Sequence, residues 1–156
     1  MNPFLLSALS FLGLSLALGA APRGALSQSL FAFAVFSLLG RSLPLAPTIA
    51  DSVAFACCVS VVANAAGVYA RSAPVTMFLA AITGLCIGAL AAALHNSIPV
   101  AEAAPLVLLA YPARLLEARL PIATRVMSSW LIAIGALAIL LHFVSVTPGY
   151  KPDHIE

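Results

Sequence analysis

Charge is what this sequence has least of. Of its 156 residues, 8% are charged, against about 25% in a soluble domain. The arginines are scattered singly, no basic block exists, and the formal net charge is +2. A chain so weakly basic has no nucleic-acid footprint, and no nucleic-acid partner is expected. Cysteine is sparse too: Cys57, Cys58 and Cys86 all fall inside apolar runs. No CxxC and no Cys/His ligand spacing occurs, so all three read as small apolar packing residues. There is no nucleophile elbow, no HExxH, no phosphate loop and no paired acidic motif. No enzyme, catalytic residue, cofactor or metal site is therefore expected. Gly19-Ala20-Ala21 resembles a signal-peptide cleavage site, but no Lys or Arg precedes the first apolar run. That run is read as a retained helix.

What is present is apolar surface, with 63% of residues hydrophobic. A soluble fold of this length could not hide so much of it, so a membrane is the solvent for most of the chain. The expectation is an all-α polytopic bundle of five to six transmembrane helices in a bacterial inner membrane. Residues 1–147 form its one transmembrane domain and 148–156 a polar tail. No internal repeat and no linker between soluble domains is present.

The most telling run is Pro74 to Leu94, 21 residues without a charge, about 31 Å as a helix. Ala80, Gly84, Gly88 and Ala92 recur in it every four residues. Such a stripe lets another helix backbone approach closely, and this run is taken as the central packing helix. Before it lie Pro3 to Ala21, a turn at Pro22-Arg23-Gly24, and Ala25 to Gly40, only about 24 Å long. Arg41, Pro44 and Pro47 close that second span. Thr48-x-x-Asp51 looks like a capping box that opens a third span ending at Arg71.

The stretch Ile98 to Leu116 is ambiguous. It holds Pro99, Pro105 and Pro112, and 11 uncharged residues separate Glu102 from Arg114. Runs of that length are often re-entrant or interfacial. A polar connector with Glu117, Arg119 and Arg125 leads to a last span, Val126 to Val146. If the proline-rich stretch crosses, Arg23, Arg71, Arg114, Arg119 and Arg125 oppose Arg41 and Lys151, five to two. If it does not, the division is four to three and decides nothing. The positive-inside rule thus leans to six crossings with both termini outside.

Five residues stand out as candidates for a transport path or for helix packing: Asp51, Ser60, Asn64, Gly84 and Gly88. A buried carboxylate such as Asp51 could couple to protons or cations, but its place in a first helical turn favours capping. Ser52, Ala56, Ser60 and Asn64 are four apart and share a face. Asn64 either bonds between helices or lines a polar path. With six crossings, His95, Glu102, His142, Asp153 and His154 approach one membrane face. A haem or metal held by His95 and His142 is a third-ranked reading, and ligand-free interfacial histidines are preferred.

Three features together resemble the second half of threonine/serine exporter-like proteins, over residues 1 to 94. The first span ends in Pro22-Arg23-Gly24-Ala25-Leu26. The third runs through Tyr69-Ala70-Arg71 into the proline-led Pro74-Val75-Thr76-Met77-Phe78-Leu79. The interval between the two prolines is also similar. Where that family carries a Pro-Gly break, this chain reads Gly84-Leu85-Cys86-Ile87-Gly88-Ala89, so its helix need not break. The resemblance implies a transport component, half of an exporter for small polar solutes such as amino acids, with a second polytopic chain as partner. A homo-oligomer would serve equally, and membrane lipid surrounds either assembly. The alternative is a structural or assembly subunit of a larger membrane complex.

Overall fold

The computed structural model describes residues 2–22, 24–95 and 98–144. Arg23, Asn96, Lys151, Asp153, His154 and the tail 148–156 lie outside them. The described chain is all helix: α1 (Pro3–Ala20), α2 (Ala25–Arg41), α3 (Ala50–Ala70), α4 (Ala73–Ala93), α5 (Ile98–Ala103), α6 (Ala110–Arg119) and α7 (Pro121–Phe143). A 3-10 turn, Pro47–Ile49, leads into α3, and another, Ala104–Leu109, joins α5 to α6. Helices α1, α4 and α7, and α3 with the 3-10 turn before it, are long and apolar enough to cross a membrane; α2 is shorter at 17 residues. This is a membrane protein built as a helical bundle.

The ambiguous stretch resolves into one broken pass. Ala103 packs with Phe11 and Ile87, Ala110 with Leu14 and Leu18, and Ala113 with Leu16. Residues 98–119 therefore climb beside α1 from one end of the bundle to the other. Pro105, at the start of the second 3-10 turn, cannot donate to a helical ladder, which accounts for the break. The chain makes six end-to-end passes, in line with the charge asymmetry. Arg71, Arg119 and Arg125 gather at one end, and Arg41, Asp51 and His142 at the other.

Helices α1 and α4 share the centre: Pro74–Leu94 is a packing helix as expected, held against α2, α3 and α1, and α1 packs against the passes on its other sides. Phe11, Leu14 and Leu18 of α1 are fully buried against α2, α4 and the pass over residues 103–110. Its buried serines behave as small apolar residues because each hydroxyl donates to its own helix. Ser7 bonds the Pro3 carbonyl at 2.9 Å and Ser10 the Leu6 carbonyl at 2.9 Å. Gly19 leaves room for α6, since a Cβ there would overlap Ala113.

Two boundaries differ from the sequence reading. Thr48 caps nothing: it lies inside the 3-10 turn, and Ile49 precedes α3 without a side-chain cap. The expected polar connector after Leu116 is almost absent. Leu120 alone links α6 to α7, because Pro121 is preorganised for the first position of a helix. Helix α7 accordingly begins five residues before Val126.

Candidate functional site

The polar interior is built where α1, α3 and α4 meet. Helix α3 turns Ser60 and Asn64 inward, both buried. Ser60 donates to the Cys57 carbonyl at 2.8 Å, so its hydroxyl is spent within the helix. Asn64 reaches across: its Nδ2 donates to Thr83 Oγ1 at 2.7 Å, and Thr83 in turn donates to the Leu79 carbonyl at 2.7 Å. Opposite stands Gly13 of α1, where a Cβ would come within 3.3 Å of the Asn64 Cβ. Asn64 is wholly buried, yet its Oδ1 has no hydrogen-bond partner among the described residues. An unspent amide acceptor in an apolar interior costs on the order of 1–3 kcal/mol.

The other singled-out residues do not join this cluster. Asp51 is exposed in the first turn of α3, 13 residues and roughly 20 Å of helix from Asn64. It makes no capping bond. Instead it lines a cleft of about 80 Å³ with Phe55 and His142, whose rings lie 5.2 Å apart. His95 stands at the end of α4 with a left-handed backbone, φ 49°, and is not part of that cleft. Glu102 is exposed on α5. Among the described residues no three His, Cys, Asp or Glu side chains converge as a metal site would require.

Gly84 and Gly88 look the other way, toward α2. A Cβ on Gly84 would lie 3.1 Å from Ser37 N, and one on Gly88 would lie 2.9 Å from Arg41 N. From the facing side, a Cβ on Gly40 would lie 2.9 Å from Ala89 N. The small-residue stripe is thus consumed within the chain, backbone against backbone. Helix α4 runs unbroken through Gly84–Ala89.

A second polar group was not singled out in the sequence. At the end of α3 the backbone of Arg71 is left-handed, φ 47°, a helix stop more often filled by glycine. Its guanidinium pairs with Glu117 of α6, and Glu117 also accepts from Thr124 Oγ1 of α7. Tyr69 OH bonds the Arg125 carbonyl at 3.3 Å, and Ser128 bonds the Ala65 carbonyl. Three passes are tied together there. The sequence signal was present as Glu117 and Thr124 seven apart, but it becomes readable only once Leu120 is known to be the whole connection.

Comparison with family models, curated proteins and solved structures finds no match for this chain.

Proposed function

We propose that the chain is one half, or one protomer, of a transporter for small polar solutes such as amino acids, working in a bacterial inner membrane. The observation that carries this reading is Asn64. A wholly buried amide holds an unspent acceptor between three apolar helices, braced by Thr83. Polar atoms at that depth are costly and mark solute or ion pathways. The resemblance of residues 1 to 94 to threonine/serine exporter-like proteins points the same way. Gly13 and the unbroken α4 pack the seam shut, so the path opens only with a second copy or a second polytopic chain. The outer faces of α2 and α7, with Phe31, Leu38, Leu137 and Leu140 exposed, are where such a partner fits. The test is amino-acid release from cells lacking the gene and then regaining it, either as wild type or as Asn64→Leu. Wild type restores release and Asn64→Leu, present at equal level, does not. If no exported amino acid changes, the reading falls.

A packing or assembly subunit is the second reading, favoured by one observation. Helix α7 fully buries only Thr124, Ser128, Leu131 and Gly135, and leaves Ile122, Trp130, Leu137, Leu140 and Phe143 exposed. Native mass spectrometry of the gently extracted protein separates the two. Membership in a large multi-subunit enzyme supports the assembly role and overturns the carrier.

A further inference from the structure

Beside the polar seam lies a groove of different chemistry. It runs between α1, α6 and α7 and has a volume of about 490 Å³. Leu12 and Leu16 form one wall, Pro112 and Leu116 the second, Trp130 and Ile134 the third. Its surface is almost wholly apolar. Along α7 it reaches from Met127 to Ile134, about 10 Å of helix axis. An extended hydrocarbon chain fits an apolar groove of this volume and length, and hydrocarbon chains are what surround this part of the protein.

One end of the groove carries unmatched positive charge. Pro112, Leu116 and Arg119 are four and three residues apart, so they lie in one row along α6. Arg119, in the last turn and exposed, stands one turn beyond the groove wall. The only acid nearby in sequence, Glu117, is taken by Arg71. Arg119 itself has no carboxylate or hydrogen-bond partner among the described residues. We propose that this groove holds one acyl chain of an anionic phospholipid whose headgroup sits against Arg119. The inference is independent of what the protein transports or assembles with.

Trp130 is the sole tryptophan and lines the groove, so the protein carries its own probe. The full chain is reconstituted in zwitterionic vesicles that contain a minor fraction of phospholipid with brominated acyl chains, either phosphatidylglycerol or phosphatidylcholine. Bromine quenches indole on contact. The anionic lipid is expected to quench at about fivefold lower mole fraction, the factor that one basic side chain near a lipid surface contributes. High salt removes the difference. Arg119→Ala brings both lipids to the same curve. Arg125→Ala, on the far side of α7 from the groove, keeps them apart. Filling the groove with Leu12→Phe lowers the excess quenching while Arg119 is still present. Equal quenching by the two lipids in wild type overturns the proposal. So does an Arg119→Ala protein that still prefers the anionic lipid.

Discussion

Helices α2 and α7 are both outer helices, yet they are fastened in opposite ways. Helix α2 meets the bundle through α4 by backbone contact, with Gly40, Gly84 and Gly88 placed where any Cβ would strike main-chain atoms. Helix α7 meets α3 by side chains: Gly135 faces the Val62 methyl, and Ser128 bonds the Ala65 carbonyl. Main-chain atoms cannot rotate aside, whereas a valine methyl can. The first contact is all-or-none where Gly40, Gly84 and Gly88 meet backbone, and the two helices part only toward their other end, where a groove of about 590 Å³ opens between Ala32, Phe36, Pro74 and Met77. The second is adjustable, and the apolar groove lies beside it. In a bilayer this difference counts for more than in water, because lipid supplies no hydrophobic force to hold loosely fitting helices together.

The contrast is broken most directly at its glycines. Gly88→Ala forces α2 and α4 apart and is expected to cost about 2–3 kcal/mol, read as a large loss of thermal stability in detergent. Gly135→Ala displaces only a side chain and is expected to cost about 1 kcal/mol or less. Equal losses for the two would show that backbone contact does not distinguish α2 from α7. Next in size is the polar seam. A double-mutant cycle with Asn64→Ala and Thr83→Ala is expected to give a coupling of about 0.6 kcal/mol. A coupling near zero would mean that the bond does not hold α3 to α4. The smallest effect is expected for Glu117→Gln, about 0.2–0.5 kcal/mol, because Arg71 is half exposed. That loss should shrink further in high salt. An effect as large as that of Gly88→Ala would place the ion pair, not the glycines, at the root of the assembly.

Much of this architecture was legible in the sequence, and the failures have causes. Apolar length found α1, α3 and α4 to within a residue or a few, because charge and proline punctuate their ends. The stripe on α4 announced a close backbone contact, but four-spaced small residues carry no label for their partner. Only the facing Gly40 identifies α2. The pass at 98–119 stayed ambiguous because three prolines and a short uncharged interval are equally compatible with a broken crossing and a re-entrant loop. What decides it is tertiary: Ala103, Ala110 and Ala113 fit along α1. The start of α7 was placed late because Thr124 and Arg125 look like a connector by composition. Asn64 was legible as a buried polar residue, whereas its partner Thr83 was hidden inside an otherwise apolar run.

The single-residue joint at Leu120 has a consequence for how the protein is made. Residues 98–119 carry Glu102 near one end of the pass and Glu117 and Arg119 near the other, and Pro105 interrupts the helix between them. With no loop to spare before α7, the pass cannot separate from that helix at the Leu120 end. The broken pass and α7 are therefore expected to enter and leave the bilayer as one hairpin, the apolar limb carrying the interrupted one.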